Sequence, residues 1–301
     1  MDNDNVIKKT LVKAYRNMRL RVDYADMGIL SEKAGNRLIA EAIRRNSPFM
    51  VGRMGAVEMR CVSKWLDGRR CTTHEREQAL LAAGIFPNNN ETIERFCEIY
   101  VDSLSAADVL GVWEVAGERK TIKKYCPSAK LIPSRSIEPY YFDDPWSKEL
   151  EGKRILIIHP FIKSIEQQLL KRKEIWNGKE VLPEFKNVSY IKAVQSNAGG
   201  KTDFEDWFLA LDYMKRLIQE KVFDVAIIGA GAYGLPLAAH CKKMGRQVIQ
   251  MAGATQILFG IKGHRWDQHP VISKFYNKYW IRPGQDETPP QFQKVEGGSY
   301  W

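Results

Sequence analysis

Residues 222–253 read VFDVAIIGAGAYGLPLAAHCKKMGRQVIQMAG, and this stretch decides the fold class. Val222–Ile228 is a short apolar run bounded by glycine, the pattern of a strand buried on both faces. Gly229-x-Gly231-x-x-Gly234 follows at once, and a helical segment runs from there to about Gly245. A second apolar run, Gln247–Met251, completes a strand–turn–helix–strand unit. Glycines in such a turn let the backbone approach a phosphate, and the helix that follows points its N–H groups and positive dipole end at the same place.

The pattern repeats upstream. Arg154–Ile158 reads as a strand leading into His159-Pro160-Phe161 and a helix from about Ser164 to Trp176. Val188–Val194 leads into QSNAGGK and a helix over Asp203–Glu220, with Thr202-x-x-Glu205 as its capping box. Phe204, Trp207, Phe208, Leu211, Met214, Leu217 and Ile218 form its apolar stripe. Earlier still, PFMVGR at 48–53 reads as a strand ending in a turn from Gly52 to Gly55, with a helix over Ala56–Asp67. Helices follow near 74–84 and 91–104, the latter with Asn90 as N-cap. Asp108–Trp113 and Ala129–Pro133 read as strands with a basic helix between them.

Repeated β-α-β units predict an α/β, Rossmann-like fold with a mostly parallel sheet and helices on both faces. The domain spans 47–272 in two halves, about 47–150 and 151–272. Residues 1–46 form a helical extension. Its first helix carries Val6, Leu11, Val12, Tyr15, Met18 and Val22, with Lys8, Lys9, Lys13, Arg16, Arg19 and Arg21 alongside; its second carries Leu38, Ile39, Ala42 and Ile43. That basic face is a solvated surface or a peripheral membrane contact. Residues 273–301 are dense in Tyr, Trp and Pro, too aromatic for disorder, and read as an extended tail packed on the domain, available to a homodimer.

Composition bounds the function classes. The chain has 46 basic and 36 acidic residues, a net +10, which favours anionic partners. No Lys/Arg block stands out, so nucleic acid is not expected. Five cysteines without a CxxC pair predict a reducing compartment, with neither disulfide framework nor zinc site. The N-terminal segment MDNDNVIKKTLVKAY lacks the apolar core of a signal peptide, and no apolar run approaches the ~20 residues a span needs. A cytoplasmic protein is expected, with peripheral contact at the inner membrane face as a variant.

In a parallel sheet ligands bind beyond the carboxyl ends of the strands. Five strand-end loops there carry candidate chemistry. Gly229, Gly231 and Gly234 form one. A dinucleotide site would want an acid about 20 residues on, at the next strand end, where this chain has Gln250-Met251-Ala252-Gly253. Gly52-Arg53-Met54-Gly55-Ala56-Val57-Glu58 is the second: Arg53 can grip a phosphate bidentately and Glu58 can serve a reacting sugar, or the two can simply pair and cap a helix. His159 with Ser164 and Gln167 is the third, and Gln195, Ser196 and Asn197 the fourth. The fifth runs from Ala252 to Asp267, where Thr255, Gln256, Lys262, Arg265 and Trp266 mix donors, cations and an aromatic face suited to a diphosphate and a base or sugar. No GxSxG, Walker A or kinase motif is present.

Phe49-x-x-x-Arg53-x-Gly55-x-x-Glu58 resembles the RFGDGE signature of the GT-D-type glycosyltransferases. FDVAIIGAGAYGLPLAAHCKKMGRQVIQMAGATQ resembles the second half of that family, and the end of the chain, from GATQILFGIKGHRWD to VEGGSYW, is similar to a subgroup associated with surface-polysaccharide biosynthesis. The resemblance covers roughly residues 45–301. It implies transfer of a sugar from a nucleoside diphosphate sugar to a glycan or lipid-linked acceptor. In that family the Asp and Glu of the signature serve metal and catalysis, with Mn²⁺ or Mg²⁺ on the donor nucleotide. Glu58 matches the Glu, and Ala56 stands where the Asp would be. A metal-independent version would use Arg53, Lys262 and Arg265 on the diphosphate, with Glu58 as base or as the group orienting the acceptor hydroxyl. Two alternatives remain: a non-catalytic nucleotide- or sugar-binding assembly protein, and an NAD(P)-dependent oxidoreductase.

Overall fold

The computed structural model describes Met18 and residues 22–301. Of the first expected helix only Met18 and Val22 fall among them; the basic positions assigned to it lie outside the described residues.

Seven strands form one all-parallel sheet: β1 Phe49–Arg53, β2 Val109–Val112, β3 Lys130–Pro133, β4 Arg154–His159, β5 Asn187–Lys192, β6 Val225–Ile228 and β7 Gln247–Gln250, in the order β3-β2-β1-β7-β6-β4-β5. The α/β, Rossmann-like expectation holds. The two sequence halves share this sheet, joined where β1 pairs with β7 at Met50↔Val248.

The strands are apolar throughout because both faces are covered. Along β4, Ile155 and Ile157 enter one core and Leu156 and Ile158 the other; Val225 and Ile227 against Ala226 and Ile228 repeat this in β6. One core is closed by helices: Met59 and Val62 from α2 (Ala56–Leu66), Phe96 and Leu104 from α4 (Asn90–Ser105), Trp207 and Met214 from α8 (Trp207–Gln219), and Leu237 and Cys241 from α9 (Gly234–Lys243). The other has fewer long helices. Ile39 and Ile43 of α1 (Glu32–Arg45) cover one end, and Trp146, Trp176, Trp280 and Trp301 fill the rest. The tail therefore takes the place of a helical layer, through short 3₁₀ turns at Ile272–Phe275, Gln285–Glu287 and Phe292–Lys294.

Three local expectations need correction. The helix predicted over 203–220 starts at Trp207, because the Asp206 side chain accepts the Leu209 N–H (2.7 Å) and caps it. Thr202 instead accepts the Phe204 N–H in a local turn (3.3 Å). Asn89, not Asn90, caps α4, accepting from Thr92 N–H at 2.8 Å. The helix predicted from 164 to 176 is two pieces, α6 (Ile162–Leu169) and α7 (Arg172–Ile175). Leu170 and Lys171 separate the two, and after α7 Trp176 turns inward, stacks on Tyr140 (5.7 Å) and meets Trp280 edge-on (5.3 Å).

The connections create a crevice. β4 leads outward to β5, whereas its neighbour β6 leads the opposite way to β7. Adjacent parallel strands whose chains depart in opposite directions leave room beyond their carboxyl ends. Here those ends are His159 and Gly229.

Candidate functional site

A cavity of about 410 Å³ opens beyond the carboxyl ends of the sheet. Its size lies in the range of small-molecule sites. Loops after β1, β4, β5, β6 and β7 all reach it, and the tail closes it with Val295, Glu296, Tyr300 and Trp301.

From the β1 loop come Arg53, Gly55 and Glu58. Gly55 precedes α2, and the Glu58 carboxyl on the first turn folds back over it. A Cβ at position 55 would stand 2.0 Å from Oε2, so that carboxyl position requires glycine there. The Gly55 N–H donates to the buried Tyr100 hydroxyl (3.0 Å). Burial pushes the Glu58 carboxyl above the usual carboxylate range, against smaller pulls from its own backbone amide and Arg60. Burial, then the Glu58 charge, also keeps the Tyr100 phenol protonated. Arg53 does not pair with Glu58. Its Nη1 lies 3.2 Å from Glu138 and 3.2 Å from Ser134 Oγ, its guanidinium stands over Trp113, and Glu138 also accepts from Tyr140.

His159 and the glycine turn meet in the crevice. A Cβ at Gly229 would stand 2.6 Å from His159 Cδ2 and 2.6 Å from Thr255 Oγ1, so this glycine is needed for strand-end packing. His159 Nδ1 accepts the Phe161 N–H (3.0 Å), which leaves the proton of the neutral ring on Nε2. Burial lowers the His159 pKa to about 3, so the ring is neutral around pH 7 and its role is that of a donor rather than a base. Gly231 has φ +51° and open space where a side chain would project. Beyond it the Tyr233 and Gly234 N–H groups donate to the Ala230 and Gly231 carbonyls and Pro236 has no N–H, so the turn itself, not the start of α9, is what faces the cavity. Gly234 packs on Gln250 instead of facing the cavity.

Arg265 and Trp266 supply the cation and the aromatic face expected of the last loop. Arg265 stacks over Trp266 and Tyr300, donates to the Tyr300 hydroxyl (3.0 Å), and lies 3.3 Å from Glu296. Gln256 lines the wall, yet its amide serves the structure by donating to the Lys262 and Tyr300 carbonyls (3.2 and 3.0 Å). Thr255, Lys262 and Ser164 stand outside the lining. Thr255 donates to the Ala252 carbonyl, Lys262 sits over the Tyr276 ring, and Ser164 donates to Glu287, anchoring the tail.

Sequence reading missed several wall residues. Tyr100 belongs to an ordinary helical stripe, Glu138 is the single residue between two short 3₁₀ turns and Tyr300 belongs to the tail; nothing local in the sequence links any of them to position 55 or 265. Tyr233 lay inside the quoted glycine turn. Its ring stacks on Trp207 (4.9 Å) and its hydroxyl lies 3.0 Å from Ser196 Oγ, which donates to the Gly84 carbonyl.

The cavity carboxylates do not fit a Mn²⁺ or Mg²⁺ site. Glu138 and Glu296 are each engaged by an arginine, Glu58 is held toward its neutral form, and Ala56 brings no fourth acid. Among the described residues no group of three His, Cys, Asp or Glu is placed to hold a metal. Hard cations of this kind want several oxygen ligands.

No family model, no curated protein and no solved structure matches this chain.

Proposed function

We propose that the cavity binds a nucleoside diphosphate sugar and that the protein transfers the sugar to an acceptor hydroxyl of a cell-surface glycan or its lipid-linked precursor. The observation that carries this reading is that a buried carboxyl, Glu58, and a guanidinium, Arg265, line one cavity together with the open turn at Gly231. A displacement at a sugar carbon needs two things at once: a base for the incoming hydroxyl and positive potential for the departing diphosphate.

In this scheme the acceptor oxygen bonds to the sugar as the bond to the diphosphate breaks, and the hydroxyl proton passes to Glu58. A raised carboxyl pKa makes Glu58 a better proton acceptor than an exposed glutamate. The Arg265 guanidinium meets the charge developing on the diphosphate, and the Ala230–Gly231 turn gives it room to approach the backbone. Trp266 and Tyr300 offer faces for the base or the sugar, and His159 Nε2–H offers a neutral donor. The chain's own residues meet the diphosphate charge without requiring a metal.

An NAD(P) oxidoreductase has less support. The strand end that would present an acid to a ribose presents Gln250, and its amide oxygen accepts the Arg53 N–H (2.8 Å).

The test is a thermal-shift screen of nucleoside diphosphates and their sugar conjugates, with and without Mn²⁺, and with NAD as control. A ligand that binds only the folded state raises Tm by mass action. A shift with one nucleoside diphosphate and its conjugates, unchanged by Mn²⁺, is expected. A shift with NAD alone overturns the reading. Binding without sugar turnover over a panel of acceptors moves it to a non-catalytic sugar-nucleotide carrier.

A further inference from the structure

Away from the cavity, three of the five cysteines gather beneath α2. Cys61 lies on that helix, Cys71 in the turn that follows it, and Cys97 on α4; all three are buried in one core. The Cys61 and Cys71 side chains are in contact, and Cys97 lies close enough to both to feel their charge. Cys61 and Cys71 also line a separate cavity of about 220 Å³ whose rim includes Arg69 and Arg70. Among the described residues the cluster is not arranged as a metal site.

We propose that Cys61 and Cys71 are a peroxide-oxidisable thiol pair: Cys71 is attacked first and Cys61 resolves it to a disulfide. Exposure and neighbouring charge order the two. Cys71 is the more exposed, at 6% against 1% for Cys61 and 0% for Cys97. Lys64 and Arg76 lie near enough to Cys71 to favour negative charge on its sulfur, against its burial and Glu75. The Arg76 guanidinium also holds the Cys71 carbonyl (2.9 Å) and Asn90 (3.1 Å), pinning the turn over α2.

The chemistry balances with a hydroperoxide as oxidant. The Cys71 thiolate attacks one peroxide oxygen, the O–O bond breaks, and water or an alcohol leaves with a proton. Cys71 is oxidised to sulfenic acid and the peroxide is reduced. The Cys61 sulfur then attacks the Cys71 sulfur; the S–S bond forms, the S–O bond breaks, and the hydroxide leaves as water with the Cys61 proton. The link joins the turn to the helix that carries Glu58 one turn before Cys61. The pair stands independently of what the cavity binds.

The experiment treats the folded, full-length protein with limiting hydrogen peroxide, blocks the remaining thiols and maps the peptides by mass. The expected product has lost two hydrogen atoms, carries a Cys61–Cys71 link, retains Cys126 and Cys241 as free thiols, and returns to the starting mass with dithiothreitol. C71S leaves every thiol intact under the same dose, and C61S stops at a Cys71 sulfenic acid that dimedone traps. A link through Cys97, a link between chains, overoxidation of Cys71 beside a free Cys61, or no reaction overturns the proposal. If a serine variant fails to fold, the wild-type peptide map still decides.

Discussion

The Glu58 carboxyl occupies the space a side chain at Gly55 would fill, with Oε2 only 2.0 Å from the ideal Cβ position. Gly55 has φ −84° and ψ 144°, a conformation open to alanine, so Gly55→Ala puts no strain on the backbone. The clash falls on the flexible end of Glu58, which can move. Gly55→Ala is therefore expected to depress sugar transfer as strongly as loss of the carboxyl, with a change in Tm of no more than a few degrees. Turnover and a melting scan on the same preparation check this; retained turnover removes the Glu58 position from the mechanism.

Glu58→Gln keeps shape and neutrality but cannot take a proton. Turnover should fall by about 10²–10⁴, the usual worth of a positioned base, while diphosphate binding changes little. Because burial raises the Glu58 pKa, activity in the wild type should fall on acidification at a pH above the ordinary carboxylate range. A pH–rate profile checks this, and that acid limb should be absent from any residual activity of Glu58→Gln.

Gly229→Ala tests packing rather than chemistry. Its Cβ would meet His159 and Thr255 at 2.6 Å, and both are buried side chains without room to retreat. Overpacking of this kind costs roughly 1–3 kcal/mol. Denaturant unfolding should show the loss; an unchanged midpoint means the crevice is looser than its geometry indicates.

Arg265→Ala should weaken binding of the nucleoside diphosphate by about tenfold to a hundredfold, the worth of a hydrogen bond to a charged group. Glu296→Gln removes the carboxylate 3.3 Å from that guanidinium and should move affinity the other way. Calorimetric titration of both variants checks the pair of signs; an unaltered Arg265→Ala affinity excludes that residue from the site.

His159 makes stability depend on pH. Its folded pKa of about 3 lies below the unfolded value near 6.5, so the unfolded chain binds the proton more readily. The contribution of the neutral ring is complete above pH 6.5 and is lost as pH falls from there toward 3, by at most about 1.4 kcal/mol per pH unit. The raised Glu58 works in the opposite sense, its contribution being lost as pH rises through its folded value. His159→Asn, which can still accept from Phe161 N–H, should flatten the stability profile between pH 6.5 and 4. Denaturant midpoints across that range, compared with wild type, measure it.

Strand and helix identity came through in the sequence because each has a local cause. The apolar runs of β1, β4 and β7 and the glycine turn after β6 lie where their patterns place them, whereas the strand expected from Val222 begins at Val225. Capping was less legible: Asn89 competes with Asn90, and Asp206 with Thr202, and the winner depends on where the neighbouring loop leaves the chain. Among candidate residues, Arg53, Glu58, His159, Gly229, Gly231, Arg265 and Trp266 do share one cavity. Ser164, Thr255 and Lys262, polar residues in the right loops, turn instead to the tail, the strand end and Tyr276.

The sequence by itself determined the parallel α/β framework and the end of the sheet where side chains collect, because the periodicity of burial and the demands of tight turns act over a few residues. Only the tertiary structure decided which of those side chains are available to a ligand. Arg53 is engaged by Glu138, 85 residues away, and the cavity wall is finished by Tyr300 and Trp301 from the far end of the chain. Charge pairing and desolvation depend on neighbours in space, and for Glu58, His159 and Arg265 those neighbours come from distant segments brought together by the sheet order.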